Sequence, residues 1–589
     1  MTGPGHRLAG VLLAAALAGC SPSPVPPSPI GSSVPGGPTP APTLLPVPEL
    51  PFTAGAWPAA GTACGPDPDT GSVPVDGPLI GRVEALSARV VRFTLCRPDA
   101  AFPARLASPV MGLLDAAEVA AVAADPAGAR SVAGAGAYRV DAWLPGDNVQ
   151  LARVGDPTTA SRPPVIVLRW SPDPAARATA LANASVDAID AADATGIADL
   201  QTVPEVSILP RPGLATAYLG FGIGKVYAAP EVRLAFAQAL DVAALARAAF
   251  PAGSVAATHL APCVVSLGCA GEDWYPFDGP AAAELLSQAA FDLGTPRSLT
   301  VPDAPVPGVP DPAATAAFIA TSAKENLGVT LNVTTVPAAD LAASVAGGTV
   351  EGLYLWGVES ALPDVVGFLE PVLGSSAKGA VPARAAGVRE LLAQASAAGA
   401  PARRSELITQ ANDAVRATVP LVPLVHAGSM AAFRDDVEGA EVTATGADPL
   451  GAMSAGDRRQ LVLMGAVEPA GAWCGIATGT GAASGADEAQ QARDATRLCA
   501  LVTPGLMRLD PTTGEPLPGL ALRCVADDTA TTWSCRLRPD LRYSSRATVD
   551  AGDVLAVVRA LADPASPLRA ALPAAAFRGW DAVFGAPAP

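Results

Sequence analysis

The sequence predicts an α/β protein with more than one lobe, and two observations lead to that prediction. The chain has 589 residues, half of them hydrophobic, so it is long enough to bury several separate cores. Strand and helix patterns also alternate along it. The apolar run VIVLRW precedes the helical segment DPAARATALANAS, which leads into the short strand VDAID. Alternation of this kind is typical of a layered α/β sheet.

From about Gly77 onward, predicted strands and helices follow one another closely. LIGRVEAL and RVVRFTLC read as strands, LLDAAEVAAVAAD as a helix, and YRVDAWLPGDNVQLARV as a hairpin. PEVRLAFAQALDVAALARAAF reads as one helix with Pro230 in its first turn, and GPAAAELLSQAAF as another. VTLNVTTVP and GLYLWGV are predicted strands on either side of the helix AADLAASVA. ARRSELITQANDAVRATVPLVPLVHA reads as a long helix that stops before Pro420 and leads into a buried strand.

The last 155 residues, after Arg434, change in character. Residues 435–456 carry Gly, Ala, Ser and Asp without periodicity and are predicted to form a connector. QLVLMGAV then begins a new strand. LMRLDPTTGEPLPGLALRC, residues 506–524, reads as a strand, a turn at Thr513-Gly514, a bend and a second strand, and WSCRLRPDLRYSS and a helix follow. This stretch has the form of the start of a domain.

The first twenty residues, MTGPGHRLAGVLLAAALAGC, are typical of an export signal. Arg7 precedes a short apolar run, and small residues follow at a cleavage site. Leu-Ala-Gly-Cys also resembles the bacterial lipobox, whose cysteine becomes the lipidated first residue, so Cys20 is the expected lipidation site. We expect a signal peptide over residues 1–20, a Pro/Ser/Gly-rich tether over residues 21–52, and a protein anchored on the outer face of the bacterial cytoplasmic membrane.

Eight further cysteines predict disulfides, because an even number in an exported chain favours them. Cys524 and Cys535 are predicted to face each other across a hairpin, at the separation that a disulfide needs. Other pairings would be Cys263 with Cys269 in a short loop, Cys474 with Cys499 in a longer one, and Cys64 with Cys96 as the remainder. Apart from the hairpin pair, the connectivity stays open. A metal site is disfavoured because the chain has no CxxC and its histidines are scattered.

Charge and motifs argue against several functions. The 55 acidic residues outnumber the 38 basic ones, giving a net charge of −17, so nucleic acid is not an expected partner. GFGIGK at 220–225 fails the spacing of both phosphate-binding loops. His259 and His426 have no partnered serine or cysteine and are expected to be structural. We therefore expect neither an enzyme nor a cofactor.

One arrangement fits a ligand site. In LYLWGVESALPDVVGFLEPVL a strand is predicted to end at Trp356, and Glu359 follows in the loop before a helix. An acid just beyond a strand end, beside an aromatic ring, is suited to holding a cationic group in a cleft. The alternative interpretation is a solvated loop acid beside a core tryptophan.

Several stretches, in a shared order, resemble the family 5 extracellular solute-binding proteins, the peptide-, nickel- and oligosaccharide-type receptors of ABC importers. The stretches are GAGAYRVDAWLPGDNVQLAR, TALANASVDAID, TAYLGFGIGKVYAAPEVRLAFAQALDVAAL and DWYPFDGPAAAELLSQA. The chain departs from the family pattern at residues 154–156, where Asn-Pro-x-Tyr is usual, and at Gly222, where Asn is usual. LVTPGLMRLDPTTGEPLPGLALRC and the hairpin after it resemble a stretch that stands near the N-terminus in the family.

The resemblance implies a two-lobed periplasmic-binding-protein-like fold of the large class, with a hinge between the lobes. The displaced stretch implies circular permutation, with the chain reopened between Gly585 and Gly77; a truncated tandem copy is the rival explanation. The expected parts are residues 53–225 (part of the first lobe and its inserted subdomain), 226–434 (second lobe), 435–456 (connector) and 457–589 (the opening module of the first lobe).

For function, the resemblance implies a lipid-anchored extracytoplasmic receptor that delivers peptides or similar solutes to an ABC permease. Glu359 would meet the ligand's amino terminus, where the family usually has Asp, and Trp356 would line the same wall. The alternative is a non-transport envelope lipoprotein that binds a glycolipid or a protein partner with the same fold. We expect a monomer that contacts the membrane through lipidated Cys20.

Overall fold

The computed structural model describes residues 52–64, 78–155, 163–190, 194–360, 363–375, 377–469, 471–474, 486–563 and 583. The predicted signal peptide, its Cys20 and all but the last residue of the predicted tether lie outside the described residues. In the described ranges, no helix is both long enough and apolar enough to cross a membrane.

The strands of the described residues belong to four sheets. They are β1 (Gly55–Trp57), β2 (Ile80–Ser87), β3 (Val90–Leu95), β4 (Tyr138–Leu144), β5 (Asn148–Arg153), β6 (Val165–Trp170), β7 (Ala188–Ile189), β8 (Val206–Arg211), β9 (Ala215–Phe221), β10 (Val255–Ala256), β11 (Arg297–Pro302), β12 (Leu331–Val336), β13 (Leu353–Glu359), β14 (Leu421–His426), β15 (Ser429–Arg434), β16 (Gln460–Gly465), β17 (Met507–Leu509), β18 (Pro516–Pro518), β19 (Ala521–Ala526) and β20 (Thr532–Leu537).

Helices connect and cover these strands. They are α1 (Phe102–Leu106), α2 (Ala116–Ala124), α3 (Pro174–Ala182), α4 (Ala194–Leu200), α5 (Pro230–Gln238), α6 (Val242–Ala249), α7 (Gly279–Gln288), α8 (Pro312–Leu327), α9 (Ala338–Gly347), α10 (Val365–Leu373), α11 (Ala380–Arg384), α12 (Ala386–Ala397), α13 (Pro401–Thr418), α14 (Ala486–Val502) and α15 (Ala551–Ala562). Short 3₁₀ helices occur at Pro109–Met111, Pro126–Arg130 and Leu450–Ala452.

A seven-stranded mixed sheet has the order β4-β5-β6-β16-β7-β15-β8. The predicted succession of VIVLRW, a helix and VDAID is confirmed as β6, α3 and β7, with β16 between the two strands. Strand β16 runs parallel to β6, from Gln460 opposite Val165 to Gly465 opposite Trp170. The sheet therefore joins strands that are almost 300 residues apart in the sequence.

A six-stranded mixed sheet has the order β10-β14-β9-β13-β11-β12. Strand β9 is antiparallel to both β13 and β14, and it is buried along nearly all its length. The prediction of one continuous helix from Pro230 to Phe250 is wrong, because the structure has two helices there, α5 and α6. Asp241 starts the second helix: its carboxylate accepts a hydrogen bond from the Ala244 N–H at 2.9 Å.

A five-stranded sheet has the order β1-β2-β3-β20-β19 and joins the two ends of the described chain. Strand β20 is antiparallel to β3, with Trp533 opposite Phe93. Phe102 packs between their rings, with centroids 5.1 Å from Phe93 and 6.0 Å from Trp533. This pairing places the β19–β20 hairpin against the segment that starts near Gly77.

Two large hydrophobic clusters form the core. One draws on residues between 79 and 188, between 431 and 473, and between 498 and 583. The other draws on residues between 217 and 425 and surrounds the six-stranded sheet. We call them the composite region and the continuous region.

The eight described cysteines form four disulfides. The pairs are Cys64–Cys96, Cys263–Cys269, Cys474–Cys499 and Cys524–Cys535. Cys524 and Cys535 are direct partners in the β19–β20 register, as the sequence predicted.

The predicted connector, residues 435–456, is irregular but packed. Val437, Leu450 and Met453 are buried in the core of the composite region. Glu438 and Ser454 exchange backbone hydrogen bonds at 2.9 and 3.0 Å. The absence of periodicity in this stretch therefore indicated irregular backbone and not exposure to solvent.

Candidate functional site

The chain passes between the seven-stranded and six-stranded sheets at two places. Residues 212–214 lead from β8 into β9, and residues 427–428 lead from β14 into β15. We call them the crossing segments. The second segment is fixed next to the first, because the Ala427 N–H donates to the carbonyl oxygen of Ala215, the residue of β9 that directly follows the first segment, at 2.9 Å.

Glycine is required where the crossing segments pack. A Cβ atom at Gly213 would lie 1.5 Å from the Ala427 carbonyl oxygen. A Cβ atom at Gly428 would lie 2.2 Å from the Gly253 carbonyl oxygen. A side chain at Gly213 would therefore force the two crossing segments apart, and one at Gly428 would force the second segment away from the loop at Gly253.

Strand β13 brings the predicted site residues to the crossing segments. Glu359, its last residue, stands opposite Ala215, and the Ser360 N–H donates to the Leu214 carbonyl oxygen at 3.3 Å. The prediction that the strand ends at Trp356 is wrong, because the ladder with β9 continues for three more residues. The continuous hydrogen bonding to β9 extends the strand beyond its apolar sequence.

The register also separates the two predicted site residues. Successive side chains of a strand point to opposite faces, so Trp356 and Glu359, three residues apart, lie on opposite faces of the sheet. Trp356 is half-buried against the core of the continuous region, whereas Glu359 is exposed. The structure therefore places them on one strand near the crossing segments but does not bring their side chains together on one face.

A buried polar group lies behind this end of the sheet. Thr216 Oγ1 and His426 Nδ1 form a hydrogen bond of 2.9 Å that links β9 to β14. Burial lowers the pKa of His426 to about 3, and nearby His259 adds to the shift. Burial also lowers the pKa of His259. Both imidazoles are therefore neutral at pH 7 and, as the sequence predicted, belong to the core.

The turn between β17 and β18 reaches the continuous region. Ser266 lies in the loop closed by the Cys263–Cys269 disulfide. Its Oγ donates a hydrogen bond to Glu515 Oε1 at 3.4 Å. A Cβ atom at Gly514 would lie 2.9 Å from the Val264 carbonyl oxygen. The sequence predicted the Thr513-Gly514 turn but not this contact, which places Glu515 at the junction of the two regions.

Arg211, the last residue before the first crossing segment, belongs to a buried ion cluster that the sequence did not predict. Its guanidinium contacts Asp448 at 2.6 Å and Asp190 at 3.1 Å. Arg497 contacts the same two carboxylates at 2.9 and 2.6 Å, and Asp494 at 2.6 Å. The cluster joins the residue that follows β7 to β8, the connector and α14.

The charges in this cluster are mutually dependent. Burial would raise the pKa of Asp190, but the positive charges of Arg211 and Arg497 outweigh it and hold that pKa well below its usual value. Burial would lower the pKa of Arg497, but the carboxylates raise it overall. Removing one partner would leave an uncompensated charge in the core. This arrangement is suited to fixing one end of the first crossing segment.

Within the described residues, no group of three or more His, Cys, Asp or Glu side chains is arranged to hold a metal ion. The cysteines that could have served as metal ligands are in disulfides.

Comparison with known proteins identifies the family. Residues 54–380, more than half of the chain, match the profile of the bacterial extracellular solute-binding proteins, family 5 Middle. The chain belongs to this family. It is a family of solute-binding proteins and not of enzymes.

Individual relatives cover part of the chain. Heme-binding protein A of Haemophilus influenzae is 28% identical over 280 residues, which are 46% of this chain and 50% of that protein. Glutathione-binding protein GsiB of Escherichia coli K12 is 25% identical over 223 residues, 37% of this chain and 43% of that protein. The chain thus spans about half the length of the curated relatives it matches.

Among solved structures, HbpA2 from Haemophilus parasuis matches with a TM-score of 0.47 and 22% identity, over 54% of this chain and 63% of that one. The dipeptide-binding protein of Pseudoalteromonas sp. SM9913 in complex with Met-Leu matches with a TM-score of 0.44 and 20% identity, over 64% and 75%.

Proposed function

We propose that the protein is a lipid-anchored, extracytoplasmic receptor that binds peptides or similar small solutes and delivers them to an ABC permease. The observation that carries the proposal is the position of Glu359 in a member of this family: an exposed carboxylate on the last residue of β13, paired with the start of β9 beside the crossing segments. The names of the heme- and glutathione-binding relatives support a small organic solute.

In this proposal the continuous and composite regions are the two lobes, and the crossing segments are the hinge. Two short connections that contact each other allow rotation of one lobe against the other while the sheets stay intact. The β17–β18 turn and the Cys263–Cys269 loop meet across the junction, so they would close over a bound solute.

Glu359 would hold the amino terminus of a peptide through a charge-assisted hydrogen bond. Because Trp356 is half-buried on the other face of the sheet, its contribution would be apolar contact at the strand edge and not a shared wall with the carboxylate. The carboxylate is therefore the residue whose change tests the proposal most directly.

The test is titration of a di- to tetrapeptide mixture by native mass spectrometry and calorimetry, with Glu359→Gln compared with Glu390→Gln, an exposed acid on α12. Loss of the negative charge that strengthens this hydrogen bond predicts about 10- to 100-fold weaker binding for Glu359→Gln and no change for the control. Amino-terminal acetylation of the peptide should weaken wild-type binding to the same degree.

Failure of every peptide to bind would contradict the peptide proposal. Co-purification of a glycolipid or of an envelope protein would favour the alternative, a non-transport lipoprotein with the same fold. Labelling with a radioactive fatty acid that persists in Cys20→Ser would contradict the proposed anchor.

We also propose that residues 457–589 are the opening module of the first lobe, displaced by circular permutation. The β3–β20 pairing supports this, because it returns the module to the lobe that starts near Gly77. Crosslinks between residues 500–540 and 77–160 within a monomer are expected. Crosslinks found only between molecules would instead favour a swapped or truncated tandem copy.

A further inference from the structure

A cavity of about 550 Å³ opens at the end of the six-stranded sheet that lies away from the crossing segments. It lies between the loop after β9, the start of α5, the end of α7 and the start of β11. Its volume is in the range typical of small-molecule sites. The lining residues that matter here are Lys225, Val226, Val232, Leu285, Phe291 and Arg297.

The apolar part of the cavity is fixed by the core. The Phe291 ring packs edge-on against Phe236, a buried core residue, with centroids 6.0 Å apart. Val232 on α5 is buried as well, and Leu285 on α7 packs against the same core. The wall is therefore preformed, so an apolar group can enter it without first ordering these side chains.

The polar part is a guanidinium held in place. Arg297 lies over the Phe291 ring, 4.8 Å from its centroid, and donates to the Asp292 carbonyl oxygen at 2.8 Å. The same guanidinium lies 3.6 Å from the Asp292 carboxylate, and the Arg297 side chain is 15% exposed. Lys225 is exposed at the mouth. A guanidinium held in one orientation by a ring and a carbonyl oxygen, and partly exposed, is suited to a carboxylate.

We propose that this cavity binds a monocarboxylate that carries a short apolar chain, with the carboxylate on Arg297 and Lys225 and the chain against Phe291, Val232 and Leu285. Two acids, Glu231 and Asp292, also line the cavity and balance the two cations. These four side chains carry no net charge together, which disfavours a phosphate or a polyanion more strongly than a monocarboxylate. The site is separate from the proposed peptide site at Glu359 and independent of it.

The test uses hexanoate as the probe and calorimetry on the purified full chain. Saturable binding is expected, with weaker binding of butyrate and none of hexylamine. Because a charge-assisted hydrogen bond is lost, Arg297→Gln should weaken hexanoate binding about tenfold or more. Arg389→Gln, at an exposed position on α12, is the matched control and should leave binding unchanged. Glu359→Gln should also leave it unchanged, which separates this proposal from the peptide proposal.

A second, cavity-filling variant tests the proposal even if Arg297→Gln fails to fold. Ala289 is exposed in the lining and follows α7, so Ala289→Phe should block hexanoate while keeping the thermal unfolding of the wild type. Absence of wild-type binding, or equal hexanoate affinity in the wild type and in a folded Arg297→Gln or Ala289→Phe variant, would overturn the proposal.

Discussion

The continuous and composite regions are assembled from the chain in different ways. The core of the continuous region comes from a single stretch between residues 217 and 425. The core of the composite region gathers three stretches, and its sheets depend on pairings such as β6 with β16 and β3 with β20. Local sequence signals can specify most of the first region, whereas the second depends on contacts of large sequence separation. Variants that remove matched local and long-range interactions test this difference.

The largest effect is expected from the buried ion cluster. Arg497→Met leaves Asp190, Asp448 and Asp494 with one cation fewer in the core. Breaking a buried pair by removing one partner should lower the free energy of unfolding by about 3–5 kcal/mol. The measurement is urea unfolding followed by circular dichroism.

The local counterpart is Arg403→Met in the continuous region. Arg403 and Glu406 form an ion pair one helical turn apart at 2.7 Å, and both side chains are at least half exposed. Its loss should change the free energy of unfolding by only about 0–1 kcal/mol. Equal losses for the two variants would contradict the dependence of the composite region on its long-range cluster.

A glycine substitution at the junction of the regions should have the next largest effect. Gly213→Ala places a Cβ atom 1.5 Å from the Ala427 carbonyl oxygen, so the crossing segments must move apart. We expect a loss of about 1–3 kcal/mol in unfolding free energy, measured by urea titration. Gly387→Ala, inside α12 with no atom within 4 Å of the new Cβ, should instead gain about 0.5–1 kcal/mol. A neutral Gly213→Ala would show that the crossing segments are not closely packed in solution.

Removing one disulfide from each region should give a smaller difference in the free energy of unfolding. Cys64–Cys96 in the composite region spans 32 residues, and Cys263–Cys269 in the continuous region spans 6. A disulfide that closes a longer loop restricts the unfolded chain more. If this effect dominates, replacing Cys64 and Cys96 by alanine should lower the free energy of unfolding by about 1.5 kcal/mol more than replacing Cys263 and Cys269. Urea unfolding of both double variants measures the difference, and the opposite order would argue for a local packing role of the short loop.

The same contrast explains what the sequence could predict. The β19–β20 hairpin with its disulfide, the helix α13 and the strand β13 follow from turns and periodicity that lie within a few tens of residues. The sequence predicts one helix across α5 and α6 because Asp241 reads as an interior residue, whereas in the structure its side chain caps α6. Its apolar neighbours continue the helical pattern on both sides, so periodicity alone gave no signal.

At the candidate site, the sequence predicts strand β13 but neither its last residue nor the sheet faces of its side chains. Trp356 and Glu359 were predicted to share one wall, yet the ladder to β9 runs on and puts them on opposite faces. The ion cluster could not be predicted, because Asp190 and Arg497 are 307 residues apart and only the fold brings them together. The contact of Glu515 with Ser266 has the same origin, with 249 residues between its partners.

The last expected effect is a difference in pH dependence. In the continuous region, burial lowers the pKa of His426 to about 3, from an ordinary value of 6.5. The unfolded chain therefore binds one proton more than the folded one as pH falls below 6.5, and stability drops by about 1.4 kcal/mol per pH unit. In the composite region, burial and the charge of Asp550 raise the pKa of Asp553 from 3.8 to about 6, against hydrogen bonds from the Asp550 and Ala116 N–H groups.

The two groups should therefore act in opposite directions. The folded chain binds the extra proton at Asp553, so this group stabilises the fold fully below pH 3.8, and that contribution is lost as pH rises through about 6. Between pH 6 and 4 the two slopes oppose each other. Relative to the wild type, His426→Asn should gain stability on acidification from pH 6 to 4, and Asp553→Asn should lose it, each by up to about 1.4 kcal/mol per pH unit in urea unfolding. Because other titrating groups cancel in these differences, slopes of the same sign in the two variants would show that at least one of the two side chains is not buried in the charge state inferred from the structure.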